Sequence, residues 1–434
     1  TLIIILGILA GFSFVLAISF AYFFGAEKTI QRTITPIIEM DRHFNQNYIQ
    51  EQAEEEHFGM KVSYYMGNGF RFRKARNVAH YNREFLNLVF TRHHFSGIIS
   101  IALAFIFLIV VGFFMDNPFF QVPAAASILI FCAVMTAVIG ALSYFLHSWS
   151  LPAFILLILF VDVLYQEEII DTRNKAYGLN YTNKEERPGY NKESLLKLCQ
   201  PDKIAADKAN MIAILENWKK KQKEEKPVMI FINVSGGGLR SGTFVMNTLQ
   251  KLDSITNGKF MDHTMLISGA SGGMLAATYY RELYRMQKSG ERINLFDAAF
   301  TEDIAKDLLN PLFSSMVSRD IFSPAQKFTV GDYKYVKDRG YAFEEKLNKN
   351  TRAVLDIQIS DYSAAEKSAS VPLMIFNSTI TRDGRRMMIS TQPISFMMKP
   401  LQLAADAGAS PDAVDFAAMF AKQSPLNVRV LTAL

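Results

Sequence analysis

The sequence predicts an α/β domain on a mainly parallel central sheet, preceded by an all-α transmembrane region. Three observations carry this. Residues 1–26 hold no charged side chain, and the 70 residues 96–165 hold no Lys or Arg. Two short apolar runs in the second half, Val228–Val234 and Thr264–Ser268, each break into a glycine cluster. A helical pattern follows each cluster at once, and a nearly continuous apolar run of this length is the look of a strand buried on both faces of a parallel sheet.

Taken in chain order, residues 1–26 would make a helix of about 39 Å, enough for a hydrocarbon core of about 30 Å. A secretory signal is the competing reading, but its apolar region would be about 7–15 residues after a basic start. Residues 27–95 form a membrane-proximal basic and aromatic segment. An acidic helical piece (Glu51 to Glu56) precedes Phe70-Arg71-Phe72-Arg73-Lys74-Ala75-Arg76. Beside a membrane, that interleaving fits anionic lipid headgroups better than RNA. His93-His94 lacks the spacing of a metal-binding helix, so no metal is expected.

Residues 96–165 split at Asp116-Asn117-Pro118 and at His147–Pro152 into runs near Ser96–Met115, Val122–Phe145 and Leu151–Tyr165. The third is short and carries Asp162 near its end, where an interfacial anion is the plainer reading than a proton relay. Ten Lys or Arg in residues 26–95 and the basic stretch after Tyr165 would both sit in the cytoplasm by the positive-inside rule, yet three spans would part them. The shortness of the third run favours a re-entrant or interfacial segment. Residues 166–226 read as a helical linker, with a helix from about Asp202 to Lys223.

Composition narrows the function. Half of the 434 residues are hydrophobic and 20% charged, with mean hydropathy +0.11. Disorder, a collagen-like fibre and a fully soluble enzyme are all disfavoured. A net charge of +5 is too weak a bias over this length to imply nucleic acid. Two cysteines, Cys132 and Cys199, leave no disulfide framework. The chain starts at Thr1 and stops inside an apolar pattern, so it reads as a piece of something longer.

Residues 227–434 hold the chemistry. Val228–Val234 ends in Ser235-Gly236-Gly237-Gly238-Leu239-Arg240-Ser241-Gly242, ahead of a helix near Thr243–Leu252. Such a turn aims backbone N–H groups at one point beside a helix N-terminus, a nest for an anion. A Walker A loop would need a Lys before Thr243, and a dinucleotide fingerprint would need Gly at Ser241. Thr264–Ser268 runs into Gly269-Ala270-Ser271-Gly272-Gly273 and a helix near Met274–Met286. This is Gly-x-Ser-x-Gly in the strand–turn–helix setting of a nucleophile elbow. Ser271 would attack a carbonyl, and the amides of Gly236, Gly237 and Gly238 would receive the oxyanion. Arg240 would buttress the loop or meet a phosphate. No histidine follows His263, which stands at the far end of the Ser271 strand, roughly 26 Å away if extended. A Ser-His-Asp triad is disfavoured and a Ser–Asp dyad remains.

Gly-Gly-Gly-x-Arg after one strand, then Gly-x-Ser-x-Gly some 35 residues on, resembles the patatin-like phospholipase family; Ser235–Gly242 is also similar to the glycine loop of cytosolic phospholipase A2. The likeness covers Val228 to the C-terminus, and the pair Pro372–Thr379 and Met387–Ser390 resembles that family's central hairpin. It implies a patatin-like three-layer domain and a serine lipid acyl hydrolase (or transacylase) with no cofactor. It implies Ser271 as nucleophile and Gly236, Gly237 and Gly238 as oxyanion hole; on the residues themselves, Gly269 and Gly273 would hold the turn and Arg240 would support the loop. The substrate would be a membrane phospholipid or other lipid ester, and the protein an integral one of the bacterial inner membrane with its catalytic domain in the cytoplasm. The family's Asp-Gly-Gly or Asp-Gly-Ala is missing. Asp383-Gly384, the one Asp-Gly, reads as a hairpin turn, so the catalytic Asp is expected beyond Leu434, after a helix over Ser424–Leu434. The alternative is a catalytically incomplete protein that binds a lipid or a partner.

Overall fold

The computed structural model describes residues 5–7, 9–17, 19–20, 63–67, 71–75, 83–117, 120, 123–167, 175–322, 326–401, 406 and 408–434. Contacts divide the chain into two compact units, Thr1–Phe105 with Ala137–Ala141, and Ile106–Thr136 with Leu142–Leu434. The Glu51–Glu56 helix expected from sequence lies outside the described residues.

In the first unit, an apolar helix α1 (Ile5–Ala17) is followed by strands β1 (Tyr64–Gly67) and β2 (Arg71–Lys74), an antiparallel ribbon with Tyr64 opposite Lys74. Arg71–Lys74 of the basic, aromatic stretch is therefore the second strand of this ribbon and is exposed throughout. Helix α2 (Arg83–Phe114) begins well before the apolar run and contains His93-His94.

Helices α3 (Ala124–Leu146) and α4 (Ser150–Gln166) are joined by a single 3-10 turn, His147–Trp149. Gly97–Phe114 and Ala124–Leu164 are long and apolar enough to cross a membrane, and only 18% and 11% of each window is buried. A core helix of a soluble protein would be mostly covered; here the apolar side chains face outward. Asp162 accepts a hydrogen bond from Gln166 one turn on, at the end of α4.

Helices α5 (Lys192–Leu198) and α6 (Pro201–Lys221) lead into the α/β part. Strand β3 (Ile230–Val234) gives way to α7 (Gly238–Ile255), the short α8 (Lys259–His263), strand β4 (Thr264–Gly269) and α9 (Ser271–Lys288). Next come α10 (Ala298–Ala305), α11 (Leu309–Phe322), a hairpin of β5 (Lys327–Val330) and β6 (Tyr333–Val336), α12 (Arg339–Asn350) and α13 (Ser363–Lys367). Strands β7 (Leu373–Thr379), β8 (Arg386–Ile389) and β9 (Ala413–Asp415) precede the short helices α14 (Phe416–Met419) and α15 (Val430–Ala433).

The central sheet has the order β3-β4-β7-β8-β9. It is mostly parallel; the β7–β8 hairpin is its one antiparallel pairing. Alternation along the strands sorts the side chains into two cores. Ile267, Met274, Met374 and Phe376 pack with α7 and α9, whereas Met265, Leu373 and Ile375 pack under α5 and α6 on the other face. Burial of these apolar side chains, at about 25 cal/mol per Å2, is what holds the layers together.

Two expectations need correction. Strand β3 is not buried on both faces. It starts at Ile230 and forms an edge of the sheet, so Phe231 is 62% exposed and Val228 lies outside the strand. A continuous apolar run cannot by itself tell a central strand from an edge one. Ser424–Leu434 is likewise not one helix but a 3-10 turn (Pro425–Asn427) and the four residues of α15, because Val428 stays extended between them.

Candidate active site

Two strand-to-helix turns meet at the carboxyl end of β3 and β4. The strands are in parallel register, Val234 opposite Gly269, so the turns that follow are side by side. The register leaves no room for side chains there. A Cβ on Gly269 would lie 2.4 Å from the Val234 carbonyl oxygen, one on Gly273 2.4 Å from the Ser235 carbonyl oxygen, and one on Gly272 2.0 Å from the Gly238 carbonyl oxygen. These three glycines let α9 start against the glycine loop.

Ser271 is the first residue of α9, and its φ of 58° puts it in the left-handed region, which a non-glycine residue enters at a cost of about 1–2 kcal/mol. Ala270 before it is extended (φ −148°), so the chain reverses sharply on the serine. The side chain is thereby thrown outward: Ser271 is exposed while Gly272 to Tyr284 are buried. It lies over the glycine loop, since a Cβ on Gly236 would be 3.2 Å from Ser271 Cβ and 3.5 Å from its Oγ.

The loop itself is shaped by backbone freedom. Gly237 (φ 141°) and Gly238 (φ 61°) take conformations that side-chain-bearing residues avoid. The Ser241 hydroxyl donates to the Ser235 carbonyl oxygen at 2.8 Å and closes the loop. Helices α7 and α9 both begin here, and first-turn amides of a helix have no partner within it. The turn after β4 is braced from β7, where the Asn377 side-chain amide donates to Ser268 Oγ (3.0 Å) and the Gly269 carbonyl oxygen (3.2 Å). Asn377 was not singled out from sequence. An Asn six residues before Asp383 gives no signal until β7 is known to lie beside β4.

Arg240 is exposed on the first turn of α7 and makes no ion pair among the described residues. With Leu239, Thr243, Phe244, Asn247 and, from α10, Ala305, it lines an open groove of about 600 Å3. A second cavity, of about 340 Å3 between Tyr177, Phe343 and Leu434, contains none of these residues.

The serine has no base among the described residues. Its Oγ makes no hydrogen bond there. His263 closes α8, at the opposite end of β4, with its Nδ1 3.1 Å from the Val228 carbonyl oxygen. Asp383 sits in the β7–β8 turn, as its Asp-Gly signal implied. It accepts from the Tyr190 hydroxyl (2.8 Å) and pairs with Arg385 (3.2 Å). Slight desolvation works against its ionisation, but Tyr190, the Arg385 amide and nearby Arg charges hold the carboxyl below its usual range. A carboxylate so occupied is poor at taking a serine proton near neutral pH. Asp415, 1% exposed, is also committed, capping α14 and accepting from the Ile394 amide. No group of three or more metal-ligating side chains occurs among the described residues.

No family model, no curated protein and no solved structure matches the chain.

Proposed function

We propose that this chain is the membrane-anchored core of a patatin-like serine lipid acyl hydrolase. The observation that carries the reading is Ser271, exposed at φ 58° and lying 3.2–3.5 Å from the Cβ position of Gly236. Strain of that kind is kept where the surroundings over-determine it, and active sites are where it clusters. In the reaction, Ser271 Oγ bonds to the ester carbonyl carbon and its proton passes to a base. The carbonyl oxygen turns negative among the amides of Gly236, Gly237, Gly238 and the residue after the nucleophile, Gly272. The alcohol then leaves, and water hydrolyses the acyl-serine. Removing one oxyanion donor of this type costs about 10²–10³ in rate.

The base would be an Asp supplied from beyond Leu434. The substrate would be a phospholipid or another lipid ester, with Arg240 at the mouth of the groove beside the loop and Gly269 and Gly273 holding the turn tight. The apolar helices would set the site at the bilayer, in a bacterial inner membrane with this unit on the cytoplasmic side. One chain-length bound supports access from the lipid. Ala305, on the groove wall, is five residues from Asn310, whose side chain caps the first helical amide of α3. Five residues reach at most about 18 Å.

The full-length protein in its membrane should react covalently with a fluorophosphonate probe, and Ser271→Ala should not. Equal labelling of both would remove Ser271 from the mechanism. The unpartnered Ser271 hydroxyl favours a second reading, a lipid-binding module without turnover; absent labelling with retained binding of phospholipid vesicles would select it.

A further inference from the structure

Helix α11 is buried nearly all round. One side rests on α12, and on the other it meets the end of α2, Asp116 and the start of α3. The contacts are close and largely polar. A Cβ on Gly112 would lie 3.2 Å from Ser318 Cβ, so the two backbones touch. Arg319, 1% exposed, donates Nε to the Gly112 carbonyl oxygen and a terminal nitrogen to Asp116, both at 2.8 Å. Lys337 reaches the other Asp116 oxygen at 2.8 Å. Burial alone would raise the Asp116 carboxyl, but hydrogen bonds from Lys337 and Arg319 hold it below its usual range. Asn310 caps α3 through the Ala124 amide, and Ser127 meets Ser314 at 2.9 Å.

These contacts fall where the apolar windows stop, at Phe114 and Ala124. They therefore tie the tip of the α2–α3 turn to the face of the bilayer on which the α/β unit stands. The far end of the next stretch is tied to the same unit. After α4 the chain enters its core at Tyr177 and Leu179, and Tyr335 accepts from the Gly178 amide and donates to the Leu179 carbonyl oxygen. A chain that leaves a unit at Ala124 and rejoins it by Tyr177 crosses the bilayer an even number of times. Helices α3 and α4, about 35 and 26 Å long, are each near the roughly 30 Å of a hydrocarbon core. Run straight, the 41 residues would reach about 60 Å and leave the membrane altogether.

We infer that α11 clamps the α2–α3 turn to the α/β unit, and that α3 and α4 are an outward and a return span with His147–Trp149 on the opposite face. The short third run is then a true crossing, not the re-entrant segment its length suggested. Trp149, 72% exposed, lies where an interfacial aromatic belongs, and the left-handed φ of His147 (45°) breaks the helix there. Nothing in this depends on Ser271 being catalytic.

The test uses full-length protein in sealed vesicles of both orientations, on a Cys132→Ser/Cys199→Ser background. Asn117→Cys and Lys226→Cys should react with an impermeant maleimide in the same orientation, and Ser148→Cys only in the other. Ser148→Cys reacting together with Lys226→Cys would overturn the two spans. Asn117→Cys reacting with the opposite partner would overturn the clamp. Gly112→Cys with Ser318→Cys supplies an independent readout. Oxidation should join them, because their Cβ positions are within reach of a disulfide; two reactive thiols that stay apart would also refute the clamp.

Discussion

The two glycine-rich turns of the α/β unit look alike on paper and use glycine for opposite reasons. After β3, Gly237 and Gly238 are needed for their backbone angles, and a Cβ on Gly238 would meet nothing within 4 Å. After β4, Gly269, Gly272 and Gly273 are needed for their missing side chains, because backbone oxygens stand 2.0–2.4 Å from where a Cβ would be. The first turn is a bowl left open to solvent; the second is a packed joint that forces one serine out over that bowl. An exposed serine and an open glycine loop are thus two results of a single close approach of helix ends.

Substitutions at the packed joint should be the most damaging. Gly272→Ala drives a methyl into the Gly238 carbonyl oxygen, and backbone on both sides cannot yield. We expect a loss exceeding about 3 kcal/mol in denaturant unfolding, with no probe labelling. Near the middle of α9, buried Arg281 pairs with Glu366 and donates to the Pro372 carbonyl oxygen. Arg281→Met strands a buried carboxylate and should cost roughly 3 kcal/mol, with Arg281→Met/Glu366→Gln recovering much of it. If the double variant is no better, the pair does not act as a unit.

A change remote from both turns calibrates these. Burial pushes the Glu344 carboxyl up to about 7, with Arg429 only partly offsetting it. The folded state therefore holds that proton more tightly than the unfolded chain. Its contribution is complete below about 4.5 and is lost as pH rises through about 7, worth roughly 2–3 kcal/mol. Unfolding midpoints of Glu344→Gln followed from pH 4.5 to 8 should lack that slope. At the open bowl, Gly238→Ala meets no clash and only the left-handed φ, so about 1 kcal/mol is expected and labelling should persist. Ser271→Gly should run the other way, gaining up to about 1 kcal/mol while labelling vanishes. A destabilised Ser271→Gly would mean the serine is not strained at all.

Much of this architecture could be read before any coordinates. Helix α6, the β3–α7 and β4–α9 units, the β7–β8 pair, the apolar helices and the serine on its turn follow from local signals, whereas α8 and the elements from α10 to α13 were not read from the sequence. Residues one to four apart decide whether a helix, a strand or a left-handed turn is feasible. The errors share one cause. Val228–Val234 has the composition of a central strand, but which strands flank it depends on partners 30 or more residues away. Asn377 became visible only through the pairing of β7 with β4, and β9 only through β8. The tie between α11 and the α2–α3 turn joins residues about 200 positions apart, and nothing near Asp116 in sequence announces Arg319.

By itself, then, the sequence determined which helices are long and apolar enough to cross a membrane, where the chain must bend, and which hydroxyl stands on the bend, because sterics and hydrophobic periodicity act within a few residues. Only the tertiary structure decided that this hydroxyl overlies Gly236, that β3 is an edge, and that α11 packs against the turn between α2 and α3. Those facts rest on strand register and on packing between distant segments, which no local pattern encodes.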